Sequence, residues 1–325
     1  MASIKDVAKA AEVSIATVSR VFNNPEAVSE ETKMRVYSAV KKLGYTPNFA
    51  AKRMRKCKAR TIIAIVPDIS NTFFIDLVRG VQDYAEKKNY SILMGRFDID
   101  HFDIERYIQL VKSKAADGMV IATGHDRHFS PVEEAKDIPI VTIEEEFMEN
   151  PYVYIDNFEA ISEVVRYLLS KGRKRLGFLG FKNEKKRLEA FKNALMENGL
   201  EIDNDLIGRG DEMGKAVYRS ACDYVENFLA LKKIPEAVVC ASDVLAAGVI
   251  KWLAKHNLKV PDDVAVTGFD NTEIAELVYP GITTVEQPTQ AMGHEAARLL
   301  IKRIERKEVP RRIAFPTRVI VRESA

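Results

Sequence analysis

Apolar positions change their spacing once along this chain, near residue 60. Before it they come in short bursts at helical intervals: Ile4, Val7, Ala8 and Ala11; Val18, Val21 and Phe22; Met34, Val36, Val40 and Leu43. Each burst is one face of a short amphipathic helix. Polar residues mark the ends. Ser3 precedes the first helix, with Asp6 in the capping-box position. Ser14 precedes the second, and Asn23-Asn24-Pro25 ends it. Ser29 opens the third, Glu30 and Glu31 fill its first turn, and Gly44 follows its end.

From Thr61 onward the apolar residues form short continuous runs separated by amphipathic stretches. Strands are predicted at Thr61–Val66, Ser91–Met94, Gly118–Ile121, Pro139–Ile143, Leu176–Leu179, Ala237–Cys240 and Val264–Thr267. Helices are predicted at 73–88, 104–114, 158–170, 184–198, 214–230, 244–256 and 290–306. This alternation means α/β layers around parallel sheet, and the strands are too many for one modest sheet. The fold class is therefore α plus α/β: a small helical head, then a body of two similar lobes. Ligands in such bodies bind beyond the carboxyl ends of the strands, where Asp68 to Phe74, Glu144, Asp243 and Asp270 fall.

Charge separates the same two regions. The whole chain carries a net +2, which points to no partner. Residues 1–60, however, hold 13 Lys/Arg against 5 Asp/Glu, and the remainder is net −6. A basic head on an acidic body is expected where one end meets a polyanion. With 46% hydrophobic residues the chain has enough apolar mass for packed domains. Cys57, Cys222 and Cys240 are odd in number and form no CxxC, so reduced thiols are expected, with no metal and no cofactor. The N-terminus lacks a secretory signal and no stretch approaches a membrane span, so a cytoplasmic protein is expected.

Two short helices joined this tightly predict a helix-turn-helix, whose second helix enters the DNA major groove. With Val18, Val21 and Phe22 turned to the core, Ile15, Ala16, Thr17, Ser19 and Arg20 face outward. Ile15 and Ala16 offer methyl contact to thymine. Arg20 is the candidate for bidentate recognition of guanine, a contact of about 1–3 kcal/mol. Thr17, Ser19, Asn23 and Ser29 suit phosphate contacts that set register, with Ser14 capping the helix. Lys52, Arg53 and Arg55, in the basic stretch after Pro47, add salt-sensitive affinity. That stretch is too short for a stable helix alone and gains order against phosphates or a partner copy.

Residues 3–56 carry the words Ile4-Lys5-Asp6-Val7-Ala8, Val13-Ser14-x-x-Thr17-Val18-Ser19-Arg20-Val21-x-Asn23, Val28-Ser29-x-x-Thr32, Leu43-Gly44-Tyr45-x-Pro47-Asn48 and Ala50-Ala51. In these words the segment resembles the DNA-binding head of the lac repressor family (LacI/GalR type). The resemblance implies a head over 1–47, a hinge helix and linker over 48–60 that brings Asn48, Ala51, Lys52, Met54 and Arg55 to the minor groove, and a dimer on a palindromic operator. Met54 stands where relatives wedge a Leu into the central base step; a thioether is still an apolar wedge.

Residues 61–325 resemble the periplasmic-sugar-binding-protein-like core of the same family. The words are Asn71-x-Phe73-Phe74, Ile155-Asp156-Asn157, Arg187-Leu188-x-Ala190-Phe191, Ala241-Ser242-Asp243-x-x-Ala246-x-Gly248, Val266-x-Gly268-Phe269-Asp270-Asn271 and Thr283-Thr284-Val285-x-Gln287-Pro288. The resemblance implies a first lobe of about 61–158 and 288–307 and a second of about 159–287 and 308–325. The chain would cross between them near 158, 287 and 308. It implies an effector pocket of Asn71, Phe74, Glu144, Asn183, Arg187, Ser242, Asp270 and Gln287. Carboxylates and a guanidinium suit vicinal hydroxyls, and an aromatic ring suits the face of a sugar. No leucine heptad follows Val319-Ile320-Val321, so a homodimer is expected.

These readings converge on a sequence-specific DNA-binding repressor of a carbohydrate-utilisation operon, controlled by a small effector, first a sugar. The alternatives are a solute-binding receptor and a regulator that responds to a nucleoside or other metabolite. An enzyme is not expected: no GxGxxG follows a strand, no GxxxxGK[ST] occurs, and the five histidines show neither triad nor zinc spacing.

Overall fold

In the head, the three predicted helices form where their caps place them: α1 (Ile4–Ala10), α2 (Ile15–Asn23) and α3 (Glu30–Leu43). The protein is described by a computed structural model for residues 2–45, 59–67, 69, 71–96, 104–122, 132–182, 184–210, 215–232 and 234–325. It divides into two units, Met1–Lys58 and Ala59–Ala325. The Ser3 hydroxyl accepts from the Asp6 amide while the Ser3 amide donates to the Asp6 carboxylate at 2.8 Å, a complete capping box. Gly44 ends α3 at φ 59°. The core holds Val7, Ala8, Ala11, Val18, Val21, Val36 and Ala39. Met34 and Leu43, expected on the buried face of α3, are 69% and 36% exposed. A core of this size is filled by one ridge, Val36–Ala39–Val40, and leaves the flanking positions outside it.

The second unit opens with six parallel strands in the order β11-β5-β4-β3-β1-β2. These are β1 (Thr61–Val66), β2 (Ser91–Arg96), β3 (Gly118–Ala122), β4 (Ile140–Ile143), β5 (Tyr152–Ile155) and β11 (Arg312–Phe315). The continuous apolar runs are explained by burial on both faces. Ile62, Ala64 and Val66 pack with α4 (Thr72–Lys87) and α11 (Thr289–Ile304), while Ile63 and Ile65 pack with Ile104 and Ile108 of α5 (Ile104–Lys112). The helix over 289–304 therefore packs on the first lobe. A Cβ on Gly293 would fall 2.0 Å from the Leu77 carbonyl oxygen, so α4 and α11 touch backbone to backbone.

The second lobe has a four-stranded parallel sheet, β7-β6-β8-β9: β6 (Leu176–Phe181), β7 (Ile207–Gly210), β8 (Ala237–Cys240) and β9 (Ala265–Thr267). Around it lie α6 (Asn157–Ser170), α7 (Lys186–Glu197), α8 (Lys215–Ala230) and α9 (Asp243–Lys255). The short antiparallel pair β10 (Thr284–Glu286) and β12 (Arg318–Ile320) joins two of the three crossings, with Glu286 opposite Arg318 and an ion pair between them. The last crossing corrects the expected position near 308. Residues 312–315 still belong to the first lobe, as β11 beside β5, and the chain crosses at Pro316-Thr317. Pro310 precedes the edge strand and does not end the lobe. Beyond β12 the terminus is sewn to the second lobe: Val266 donates to the Ser324 carbonyl at 2.8 Å, and the Tyr167 hydroxyl donates to that of Ala325 at 2.7 Å.

Cys222 and Cys240 are buried free thiols; Cys57 lies outside the described residues. Among the described residues no helix is long and apolar enough to cross a membrane.

Candidate functional sites

The outer face of α2 is built by its cap. The Ser14 hydroxyl accepts from the Thr17 amide at 3.0 Å and shares a 2.9 Å hydrogen bond with the Thr17 hydroxyl. This starts the helix at Ile15, so positions 18 and 21 fall inward and are fully buried. Ser14, Ile15, Ala16 and Arg20 are exposed, with Ile15 at 45%, and Thr17 and Ser19 are half-buried. Asn23 closes α2. Ser29 caps α3 by accepting from the Thr32 amide. The N-termini of α2 and α3 thus each present a hydroxyl-capped end, the helix pole that favours anions. Asn48, Ala51, Lys52, Met54 and Arg55 lie outside the described residues.

One basic residue in the head is occupied internally. Arg35 Nη2 donates to the carbonyls of Ala11 at 2.6 Å and Glu12 at 3.1 Å. It satisfies the free carbonyl end of α1 and ties α3 to the turn before α2. Sequence spacing does not reveal this, because the contact spans 24 residues.

In the second unit a polar cluster forms at the first two crossings. Glu144 follows β4 on left-handed backbone, φ 76°, and its amide donates to the Val153 carbonyl at 2.8 Å. Asn157, the first residue of α6, donates through Nδ2 to Glu144 Oε2 at 3.3 Å and accepts at Oδ1 from Arg187 Nε at 2.9 Å. It therefore links a first-lobe carboxylate to a second-lobe guanidinium. Arg187, on α7, also donates from Nη1 to the Ala241 carbonyl at 2.7 Å and lies 3.7 Å over the centre of the Phe269 ring. Asp270 follows β9, again on left-handed backbone (φ 105°), and accepts from Gln287 Nε2 at 2.7 Å. Arg187 Nη1 stands 3.8 Å from Asp270 Oδ1.

Glu144, Asn157, Arg187, Asp270 and Gln287 are all buried. Burial pushes the Glu144 carboxyl above its ordinary range, and Arg187 and the Asn157 hydrogen bond draw it back. Burial raises Asp270 well above its ordinary value, again opposed by Arg187. Two acceptors of this cluster have no hydrogen-bond partner among the described residues: Glu144 Oε1 and Gln287 Oε1. Buried polar atoms are rarely left so.

Of the predicted pocket, Glu144, Arg187, Asp270 and Gln287 come together. Asn71 and Phe74 instead sit on the first turn of α4. Asn71 accepts from the Phe73 amide at 3.0 Å as its cap, and Phe74 is buried edge-on to Phe73, the ring centres 5.1 Å apart. Ser242 caps α9 through the Leu245 amide at 3.3 Å, next to the carbonyl that Arg187 grips. Among the described residues none of these three is hydrogen-bonded to the cluster. Asn183 lies outside the described residues. Asn157 and Phe269 were not among the expected pocket residues, although both stand in the quoted words.

Behind the pocket, Asp243 clasps three segments. It accepts from the Thr272 amide at 2.6 Å, the Thr272 hydroxyl at 3.0 Å and the Thr284 hydroxyl at 2.5 Å. The first fixes the loop that carries Asp270 and the last fixes the strand that leads to Gln287. Burial lifts the Asp243 carboxyl to about 6 despite these hydrogen bonds.

Comparison with known proteins agrees with both halves. Residues 3–48 match the bacterial regulatory proteins of the lacI family, and residues 165–325 match a periplasmic binding protein-like domain. The HTH-type transcriptional regulator RegA of Clostridium saccharobutylicum is 37% identical over 316 residues, 94% of each chain. The HTH-type transcriptional repressor CytR of Escherichia coli K12 is 34% identical over 95% of this chain and 91% of its own. Among solved structures, a complex of the transcriptional regulator CelR with cellobiose aligns over the full length of both chains, at 28% identity and a TM-score of 0.71. A lac repressor dimer bound to operator and the anti-inducer ONPF aligns over 99% of this chain and 98% of its own, with a TM-score of 0.84; at 20% identity it speaks for the fold alone. Helical head, two-lobed body and full-length relatives agree, and the chain belongs to the lacI family of bacterial transcriptional regulators.

Proposed function

We propose that the protein is a cytoplasmic, homodimeric repressor of a carbohydrate-utilisation operon. It binds a palindromic operator through α2 and is controlled by a sugar held between its lobes. In this reading Ile15, Ala16 and Arg20 face base edges, and Ser14, Thr17, Ser19, Asn23 and Ser29 meet phosphates. Asn48, Ala51, Lys52, Met54 and Arg55 act in the minor groove. Glu144, Arg187, Asp270 and Gln287 hold the effector, together with Asn71, Phe74, Asn183 and Ser242. The work is binding, and no reaction is assigned to the chain. The observation that carries the reading is the pair of partnerless buried acceptors, Glu144 Oε1 and Gln287 Oε1, beside Arg187 at the crossings. A donor-rich ligand there contacts both lobes at once. Its preference for one lobe arrangement sets how strongly it changes DNA affinity, typically a coupling of about 1–3 kcal/mol. Cellobiose in the CelR complex supports a carbohydrate.

The test is operator selection from random duplexes with the full chain, then anisotropy titrations with and without a panel of sugars and nucleosides. A palindromic site, affinity falling steeply as salt rises from about 50 to 200 mM, and a shift with one sugar are expected. Salt-insensitive or absent binding would overturn the DNA half. A response to a nucleoside alone would replace the sugar.

A further inference from the structure

The charge of the pocket restricts its ligand as much as its shape does. Glu144 comes from the first lobe and Asp270 from the second, and each sits just past a strand end at a positive φ, 76° and 105°. A side-chain-bearing residue holds such backbone only where the surroundings over-determine it, and functional sites are where this concentrates. Glu184, only 4% exposed, adds a third carboxylate, with Oε1 3.4 Å from the Arg187 amide. Against them, among the described residues of this cluster, stands one buried guanidinium, Arg187, whose Nε and Nη1 already serve Asn157 and the Ala241 carbonyl. Lys186 pairs with Glu145 at 2.5 Å and also reaches the Glu144 carbonyl at 3.4 Å, so that pair brings no net charge to the cluster. Two atoms of the cluster have no partner among the described residues, and both are acceptors on residues more than nine-tenths buried: Glu144 is 8% and Gln287 3% exposed.

A ligand that satisfies these atoms must bring O–H or N–H donors. A phosphate or carboxylate would bring more acceptors and a negative charge into a poorly solvated site that already holds carboxylates. Burial already pushes the Glu144 and Asp270 carboxyls upward, and a bound anion would push them further.

We infer that the pocket accepts an uncharged ligand rich in hydrogen-bond donors, two of them placed to meet Glu144 and Gln287, and rejects phosphorylated or carboxylated forms of the same compound. The inference rests on reading this cluster as the effector site. It makes the protein a sensor of the unmodified compound over its phosphorylated or carboxylated forms.

The experiment is a thermal-shift and calorimetry series on the full chain. Neutral hexoses, pentoses, disaccharides and nucleosides are each paired with a phosphate ester or an acid form: hexose 6-phosphates, nucleoside 5′-monophosphates, aldonic and uronic acids. The expected result is a neutral compound that raises Tm while its anionic partner binds at least ten-fold more weakly. An anionic form that binds equally or more tightly overturns the inference and leaves the effector reading standing. If no compound of either kind binds, the effector reading fails and the inference falls with it. Size is separated from charge by Glu144→Gln and Asp270→Asn. At least one should bring the ratio of anionic to neutral affinity up about ten-fold, even where neutral binding weakens. An unchanged ratio in both shows that charge is not the cause and overturns the inference.

Discussion

Arg187 and Asp270 stand 3.8 Å apart, close enough to attract and too far to hydrogen-bond. The guanidinium is held off the carboxylate by its bonds to Asn157 and Ala241, and Asp270 takes its hydrogen bond from Gln287 instead. An ion pair poised this way, buried and not closed, leaves room for a ligand hydroxyl to bridge the two. Asp270→Ala should abolish the effector response while operator binding persists. Arg187→Ala should do the same and lower stability by about 2–3 kcal/mol, because Asp270 and Asn157 are left buried without it. Operator titrations with and without effector check both. A response that survives in either variant would remove that residue from the pocket.

The two arginines of the head separate reading from support. Arg20 is exposed on α2, while Arg35 holds the carbonyl end of α1. Arg20→Ala should lose about 1–3 kcal/mol of preference for operator over random duplex. Equal losses on both duplexes would assign Arg20 to a phosphate. Arg35→Ala should lower the melting temperature of the head, by about 1 kcal/mol in stability, and weaken both kinds of DNA alike.

Much of the fold was legible in the residues because its signals are local. Ser3, Ser14, Ser29 and Gly44 start and stop helices through their own neighbours, and continuous runs such as Ile62–Val66 are buried wherever they lie. Short edge pieces were not legible. β5, β7 and β10 to β12 have three or four residues each and owe their pairing to partners far along the chain. The same divide runs through the site. Asp270, Arg187 and Gln287 stand in recognisable words, and Glu144 and Asp270 lie just past strand ends. Asn157 looks like the first residue of an exposed helix, and only its bonds to residues 13 and 30 positions away give it a role. Phe74, expected to face a sugar, is buried edge-on to Phe73, a packing that its place in the sequence does not reveal.

Asp243 gives pH a hold on the second lobe. Its folded carboxyl titrates at about 6, whereas an unfolded aspartate does so at about 3.9. The folded state binds the proton more tightly, so raising pH from about 4 to about 6 costs stability, up to about 3 kcal/mol at 1.36 kcal/mol per unit. The cost is absent below that window and constant above it. Asp243→Asn removes the titration. Urea unfolding followed by Trp252, the single tryptophan and itself on α9, should show parent-minus-variant stability falling across the window and then levelling. A pH-independent difference would contradict this account of Asp243.

Glu144 should pit stability against response. It combines left-handed backbone, a buried carboxyl raised by desolvation and one oxygen without a partner among the described residues. Each of these disfavours the ligand-free fold, and strain and burial of this kind persist where function uses them. Glu144→Gln keeps the shape and the acceptor toward Asn157 while removing the buried charge. Because burial makes ionisation of the parent carboxyl costly, the variant should gain on the parent in stability as the pH rises. The gain should shrink as the pH falls and the parent takes up its proton. Effector affinity should fall in the same protein, since an amide nitrogen replaces an acceptor that a ligand hydroxyl would meet. Paired melting curves at pH 5 and pH 8, with and without ligand, distinguish the outcomes. A variant that is less stable at both pH values, with affinity intact, would make Glu144 a structural residue of the crossing and not part of the binding site.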